Sequence, residues 1–302
     1  MRVAVVGATG LIGGALVAAL ADRGDVPLPV SRGGDTVRGV TGVAWDPADG
    51  PPPPEVVQVD AVVNLAGAGI GAARWTDDRK RVIRESRIQT TDALVQALGS
   101  GTAGVLVNAS AAGYYGTGEE TVDETSPAGD DFLAEVCTSW EAAAVAAEQR
   151  SVRVVLLRTG IVLASDGGAL HDPLPPLGVS QLTLFRLGLG GPFGGGRQWQ
   201  PWIHIADVVG AILLALDDDS LRGPLNLSAP APVRQREFAS ALGRVLHRPA
   251  FVPTPGFALR ILLGEMSTLA LDGQRMLPAA LQARGYDFRF TDLEAALRDL
   301  LA

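Results

Sequence analysis

Two residue types that often define a protein class are nearly missing from this chain of 302 residues. Its one cysteine, Cys137, excludes an internal disulfide framework and suits a cytoplasmic protein. The three histidines, His171, His204 and His247, lie far apart and show no metal-ligand spacing. The composition therefore predicts a cytoplasmic protein without disulfides and without a bound metal.

Lysine and tyrosine are scarce as well. Lys80 is the only lysine among 25 basic residues, and the tyrosines are Tyr114, Tyr115 and Tyr286. Any chemistry that pairs a tyrosine with a lysine therefore has few residues to draw on.

Long apolar runs and positive charge are also missing. No apolar stretch is long enough to span a bilayer, and the N-terminus has a single arginine ahead of a strand pattern, so we expect neither a membrane partner nor a secretory signal. The net charge is −8 and no basic arm is visible, which argues against a nucleic-acid partner.

The N-terminus holds the most informative motif. Residues 3–6 form an apolar, β-branched run typical of a buried strand, and residues 12–21 form a helical pattern that ends near Gly24. The glycines between them let the backbone approach a pyrophosphate, and the new helix directs its free N–H groups at that charge. This order predicts a dinucleotide site made by Gly7, Thr9, Gly10, Leu11, Ile12 and Gly13.

The tip of the second predicted strand, residues 26–30, indicates which dinucleotide binds. An NAD-selective fold carries an acid there that binds the ribose 2′-hydroxyl. This chain has Ser31 and Arg32 instead. A hydroxyl and a cation favour a 2′-phosphate, so we expect NADP rather than NAD.

Strands and helices alternate through the first half of the chain, which predicts an α/β fold with a Rossmann-type doubly wound parallel sheet. The further predicted strands are 60–67, 104–110, 152–163 and 225–228, and the further helices are 74–98, 132–149, 203–216, 236–246, 257–271 and 291–301. We assign residues 1–165, with returns near 203–228, to the dinucleotide-binding domain. Residues 166–202 and 229–302 form a smaller mixed region on the substrate side, where glycine, proline and aromatic residues of 166–202 predict a pocket wall.

The chain resembles the extended short-chain dehydrogenase/reductase superfamily, which includes nucleotide-sugar epimerases. The markers are Gly7, Gly10 and Gly13, residues 64–67, Ser110 before Tyr114 and Tyr115, and residues 158–160, 202–208 and 226–228. Residues 74–76, 86–87, 129–132, 140–141, 197–199 and 264–266 are similar to an epimerase-like, NADP-binding subfamily. That subfamily has its own small C-terminal domain of unknown function, which would start here near residue 249.

The resemblance extends the predicted cofactor site along the carboxyl ends of the strands. A strand end poor in side chains lets the cofactor lie close. The implied contacts, beyond the glycine turn, are Ser31, Arg32, Leu65, Ala66, Gly67, Arg87, Ser110, Gly160 and Val162. Arg87 is long enough to reach a cofactor phosphate.

The catalytic residues are less certain, because the superfamily pairs a serine with Tyr-x-x-x-Lys. The residues four after the three tyrosines are Gly118, Glu119 and Phe290. Alignment by the helix at 132–149 places Cys137 at the tyrosine position and Glu141 at the lysine position. The candidates for acid–base chemistry are therefore Ser110, Tyr114, Tyr115, Cys137 and Glu141.

Two functions remain open from the sequence. One is an NADP(H)-dependent oxidoreductase or epimerase-like enzyme that acts on an unidentified small molecule and could work as a homodimer. The other is a non-catalytic NADP(H)-binding protein that senses redox state or binds a partner. The cofactor signals fit both. The missing tyrosine–lysine pair favours the second, and the pocket-like segment 166–202 favours the first.

Overall fold

A parallel sheet of seven strands organises the computed structural model, which describes residues 1–174 and 178–301. In chain order the strands are β1 (Arg2–Val6), β2 (Val26–Ser31), β3 (Val43–Ala44), β4 (Ala61–Asn64), β5 (Val105–Ala111), β6 (Thr121–Val122), β7 (Arg153–Thr159), β8 (Ile161–Leu163), β9 (Pro173–Leu174), β10 (Val179–Ser180), β11 (Trp199–Gln200), β12 (Trp202–His204), β13 (Gly223–Leu227), β14 (Val233–Arg234) and β15 (Arg275–Met276). The central sheet has the order β13-β7-β5-β4-β1-β2-β3, and its neighbouring strands are parallel.

Helices cover both faces of this sheet. They are α1 (Leu11–Asp22), α2 (Pro54–Val57), α3 (Asp77–Leu98), α4 (Phe132–Val145), α5 (Gly168–His171), α6 (Gln181–Arg186), α7 (Ile205–Asp217), α8 (Gln235–Val245), α9 (Gly256–Leu263), α10 (Thr268–Leu271), α11 (Ala279–Ala283) and α12 (Leu293–Leu301). Helices α1 and α7 pack on one face, and α3 and α4 on the other. Strands buried on both faces explain the near-continuous apolar runs of the sequence. The predicted Rossmann-type fold is confirmed.

The order of the strands places a crevice at one edge of the sheet. Strand β1 lies between β2 and β4, so the chain winds outward in both directions from it. Ligands of such sheets bind outside the carboxyl ends of the strands at this switch point. Every predicted cofactor residue before residue 68 lies at or just beyond a carboxyl end of β1, β2 or β4.

Two predicted elements are broken by glycines. The strand predicted at 152–163 splits at Gly160. The Pro201 carbonyl approaches this residue so closely that a Cβ would lie 2.1 Å from its oxygen. The chain therefore leaves the sheet, and β8 pairs with β12, where a helix start had been predicted. The helix predicted at 257–271 is interrupted at Gly264, whose φ of +61° ends α9 before a 3-10 turn leads into α10.

The remaining predicted elements differ from the structure mainly at their ends. Helix α3 begins later than predicted, at Asp77, because the Thr76 hydroxyl caps it by accepting from the Arg79 N–H at 3.2 Å. The last turn of the helix predicted at 132–149 is 3-10 rather than α. Strand β13 joins the central sheet and helix α7 packs on it, as predicted for residues 203–228. The division of the chain into two domains remains a prediction. Of the region predicted on the substrate side, residues 175–177 and 302 lie outside the described residues. Within the described chain, no helix is both long and apolar enough to cross a bilayer.

A buried polar cluster joins α3 and α4 to the middle of the sheet. The Thr91 hydroxyl accepts from the Asn64 side-chain amide at 3.0 Å and from the Trp140 indole N–H at 2.9 Å. Asn64 also donates to the Asn108 side chain at 2.7 Å. Because buried donors are costly to leave unpaired, this cluster specifies how the two helices sit on β4 and β5.

We predict that Thr91→Val lowers the free energy of unfolding by about 1–3 kcal/mol, because it leaves the Trp140 N–H buried without an acceptor. Thr90→Val is the matched control, since the Thr90 hydroxyl only donates to the Ser86 carbonyl of its own helix. Urea denaturation of both variants measures the difference. Equal losses in the two variants would contradict the role given to the cluster.

Candidate functional site

The predicted glycine turn lies at the carboxyl edge of the sheet, against the end of β4. Gly7 has a φ of +82°, and a Cβ there would come within 2.9 Å of the Leu65 and Ala66 backbones. Its N–H donates to the Val30 carbonyl at 3.0 Å, which draws in the end of β2. The turn therefore holds the ends of three neighbouring strands together, as a dinucleotide site requires.

The start of α1 is suited to an anion. Gly10 is the N-cap of this helix, and no side chain accepts a hydrogen bond from its first turn. Because Gly10 has no side chain, nothing of its own covers the first turn of the helix. The N–H groups of Leu11, Ile12 and Gly13 in that turn are therefore open to a ligand. Backbone donors and a helix dipole in this arrangement favour a phosphate. The residues present therefore fit the pyrophosphate of a dinucleotide.

The end of β2 has a more specific arrangement than the sequence suggested. The Ser31 hydroxyl donates to the Asp35 carboxylate at 2.7 Å and accepts from the Asp35 N–H at 3.0 Å. Arg32 is exposed, and no carboxylate of the described chain lies within 4.0 Å of its guanidinium. Ser31 thus shapes the turn, and Arg32 is the residue at this tip that is free to meet a phosphate.

Arg87 lies over the end of β4, where the sequence predicted a cofactor contact. A Cβ on Gly67 would lie 3.1 Å from the Arg87 guanidinium carbon. The guanidinium donates to the Ala68 and Ile83 carbonyls at 3.0 and 2.9 Å and lies 5.1 Å from the centre of the Trp140 ring. Burial lowers the pKa of Arg87. No carboxylate in the described residues neutralises this buried cation at 4.0 Å or less, so it can attract an anionic group.

A buried ion pair between Arg158 and Glu141 lies at the carboxyl edge of the sheet. Arg158 donates through Nε and Nη2 to the two carboxylate oxygens of Glu141, at 2.9 and 2.8 Å. The Ser110 hydroxyl donates to the same carboxylate at 2.6 Å. Burial lowers the pKa of Arg158, but the bonds to Glu141 and Tyr115 raise it more, so the net shift is upward. The Arg158 cation and the Glu141 carboxylate therefore neutralise each other in the interior.

The network continues to the neighbouring edge strand, β13. Arg158 Nη1 donates to the Tyr115 hydroxyl at 3.0 Å, which donates in turn to the Asn226 side chain at 2.7 Å. Burial raises the pKa of Tyr115 to about 12. The Arg158 guanidinium lies 3.4 Å from the centre of the Tyr114 ring. Tyr115 is thus held through its hydroxyl, whereas Tyr114 contacts Arg158 with the face of its ring.

Cys137 lies in a different setting from the other four candidates. It is one helical turn before Glu141, and its thiol donates to the Ala111 carbonyl at 3.8 Å. Burial, and next the Glu141 carboxylate, raise the pKa of this thiol to about 12. It is therefore protonated at neutral pH.

A cavity of about 200 Å³ opens between the carboxyl ends of the sheet and the C-terminal segment. Helices α3 and α4, the turn after β5, the β7–β8 junction, β11 and α10 line it. Of the five acid–base candidates, Cys137 alone lines this cavity in the described structure, and of the cofactor candidates Arg87 and Gly160 do. Lys80, the sole lysine, instead pairs with Glu265 at the surface.

The sequence reasoning missed two residues that complete this site, Arg158 and Asn226. A signal for the first was available: Arg158 follows a fully apolar run, residues 154–157, inside a strand. Such a charge must be buried with the strand and needs a carboxylate partner. No comparable signal identifies Asn226, which reaches the network only because β13 lies beside β7.

Comparison with protein families divides the chain in two. Residues 3–227 match the model of the NAD dependent epimerase/dehydratase family. Residues 254–300 match a domain of unknown function, DUF1731.

Comparison with single proteins agrees. The chain is 41% identical over 298 residues to epimerase family protein ML0860 of Mycobacterium leprae, covering 98% of this chain and 94% of that protein. A crystal structure of human epimerase family protein SDR39U1 (isoform 2) with NADPH is 37% identical, has a TM-score of 0.86 and covers 99% of both chains. UDP-glucose 4-epimerase of Thermus thermophilus, solved with NAD, is 22% identical with a TM-score of 0.75, covers 99% of this chain and 97% of its own, and shows a shared fold only.

We expect Glu141→Gln to lower the free energy of unfolding by about 3–5 kcal/mol, because it leaves the buried Arg158 cation uncompensated. Glu135→Gln on the same helix is the control. Glu135 is exposed and pairs with Arg84 at 3.3 Å, so its loss should cost less than about 1 kcal/mol. Chemical denaturation at pH 7 compares the two. A Glu141→Gln variant as stable as Glu135→Gln would show that the ion pair does not stabilise the fold.

Proposed function

Because the chain belongs to the NAD dependent epimerase/dehydratase family, we propose that it is an NADP(H)-dependent oxidoreductase acting on a small molecule, with Cys137 as its proton-exchanging residue. The observation that carries this proposal is that the five acid–base candidates lie in two different settings. Four of them face a buried ion-pair network or Arg158, and the fifth, Cys137, faces the cavity.

The cofactor half of the proposal rests on the edge of the sheet. The glycine turn, the uncapped start of α1 and the exposed Arg32 suit a pyrophosphate and a 2′-phosphate. The human relative was crystallised with NADPH. Arg87 lies over the end of β4 and also lines the cavity, so it is a second cation that would contact the cofactor.

The catalytic half rests on the protonation state of the thiol. Bound NADPH would supply a hydride to the carbonyl carbon of the substrate. The carbonyl π electrons move to the oxygen, which then takes the proton of the Cys137 S–H group. An alkoxide is about as basic as hydroxide, whose conjugate acid has a pKa of ~15.7, so a thiol with a pKa of about 12 can protonate it.

Arg87 and Glu141, the latter held by a hydrogen bond from Ser110, would support this step without carrying the proton to the substrate. The Arg87 cation lowers the pKa of Cys137 against the larger effect of burial, so it would stabilise the thiolate until water reprotonates it. Glu141 acts in the opposite sense and keeps the thiol protonated between turnovers. We propose that a thiol, a carboxylate and one arginine take the place of the superfamily's phenol and lysine.

For the cofactor, we predict that Arg32→Ala weakens NADPH binding ~10- to 100-fold, because a charge-assisted hydrogen bond to the 2′-phosphate is worth about 1.5–3 kcal/mol. NADH binding should stay within about twofold. Arg2→Ala, at the opposite end of β1, is the control and should change neither affinity. Calorimetric titration of both cofactors tests this. Equal loss for NADPH and NADH would contradict recognition of the 2′-phosphate by Arg32.

For catalysis, we expect Cys137→Ala to reduce kcat ~10²- to 10⁴-fold with an unchanged Kd for NADPH, the usual contribution of a general acid. Thr138→Ala is the control, because Thr138 is exposed and its hydroxyl only donates to the Ala134 carbonyl. NADPH oxidation with a panel of aldehydes and ketones supplies the assay. Full activity of Cys137→Ala would exclude the thiol. Tight NADPH binding without turnover on any substrate would instead favour a non-catalytic NADP(H)-binding protein.

A further inference from the structure

The C-terminal segment that matches a domain of unknown function forms one wall of the cavity. Thr268, Leu269, Asp272 and Gln274 face it from α10 and the chain that follows. The opposite wall is α4, with Leu133 and Val136. The size of the cavity is therefore set jointly by the part of the chain that matches the epimerase/dehydratase family, residues 3–227, and by the C-terminal segment, residues 254–300.

This wall is held by backbone bonds at several points. Gln274 donates its side-chain amide to the Ala112 carbonyl, and the Gly118 N–H donates to the Gly273 carbonyl at 2.9 Å. Strand β15 pairs with β6 directly after the cavity. Asn226, the last member of the ion-pair network, donates to the Leu277 carbonyl at 2.9 Å. A wall bonded on both flanks cannot move outward without breaking several hydrogen bonds.

The cavity is small and its lining is mostly apolar. About 200 Å³ is below the ~300–1,000 Å³ of ordinary small-molecule pockets. Trp140, Ile161, Trp199 and Leu269 supply much of the surface.

The charges at the cavity do not suit a nucleoside diphosphate. Arg87 is the one permanent cation among the described lining residues, and two backbone carbonyls already hold its Nη1. Asp131 and Asp272 would repel phosphates, and Asp131 is occupied as the N-cap of α4. A diphosphate normally meets several cations or backbone donors, and this lining provides one cation that the cofactor would also use.

We propose that the substrate is a small apolar aldehyde or ketone without a nucleotide, and that Leu269 of the C-terminal segment limits its size. This inference rests on the proposed carbonyl reduction and narrows it to a substrate class. It assigns the C-terminal segment the task of closing a compact apolar pocket over Cys137. It also separates this chain from the UDP-sugar enzymes that share its fold.

Binding can be measured apart from turnover by using NADP⁺, which cannot reduce a carbonyl. Ligand-observed ¹⁹F NMR gives the Kd of 4-fluorobenzaldehyde for the protein with and without NADP⁺, and UDP-glucose is added as a competitor. We expect 4-fluorobenzaldehyde to bind and UDP-glucose not to displace it. Leu269→Trp and Leu133→Trp, which fill the cavity from opposite walls, should each weaken the aldehyde at least ~10-fold.

Ile261→Trp is the matched control, because Ile261 lies on the outer face of α9 with 73% of its surface exposed. It should leave the Kd within about twofold, and melting temperatures verify that all three variants are folded. The inference is overturned if 4-fluorobenzaldehyde does not bind, if UDP-glucose displaces it, or if both cavity-filling variants bind it as the parent does. Loss of turnover with intact aldehyde binding would instead refute the proposed function alone.

Discussion

The buried ion pair between Arg158 and Glu141 is the constraint on which the rest of the site depends. An isolated charge in the interior costs several kcal/mol, so neither residue can be buried without the other. Their partners come from β5, the turn after it, α4, β7 and β13. Satisfying one guanidinium therefore sets the positions of five elements at the carboxyl edge of the sheet, which is the edge that also carries the cofactor residues.

The same constraint engages the hydroxyl hydrogens of two of the polar candidates. Ser110 donates its hydroxyl hydrogen to Glu141, and Tyr115 donates its own to Asn226 while accepting from Arg158, so both hydroxyl hydrogens already have acceptors. A residue that exchanges a proton with a substrate needs an atom facing the cavity. Cys137 lies a turn earlier on α4 and lines the cavity, so it is the candidate that we propose for this role.

The sequence predicted the sheet well because parallel strands buried on both faces consist of nearly continuous apolar runs. The glycine turn after β1 was equally clear, because only such a turn lets the backbone approach a pyrophosphate. The sequence failed where tertiary packing overrides a local pattern. Nothing local in residues 152–163 shows that Pro201 will approach Gly160 and divert the strand. The candidate site was predicted as a set of residues, but their separation into a buried network and a cavity wall depends on distances between α4, β7 and β13. Asn226 shows this most clearly, since only the strand order brings it to Tyr115.

Asn226 also links the two halves of the chain. Its side chain accepts from Tyr115 with one atom and donates to the Leu277 carbonyl with the other, so one amide closes the ion-pair network and anchors the C-terminal segment. Because that segment joins the structure through short strands such as β15, it depends on individual hydrogen bonds of this kind for its position. The position of the cavity wall formed by the C-terminal segment is consequently tied to the polar network around Arg158. A substitution that loosens Arg158 should therefore disturb the pocket wall as well as the sheet, although Arg158 itself does not line the cavity in the described structure.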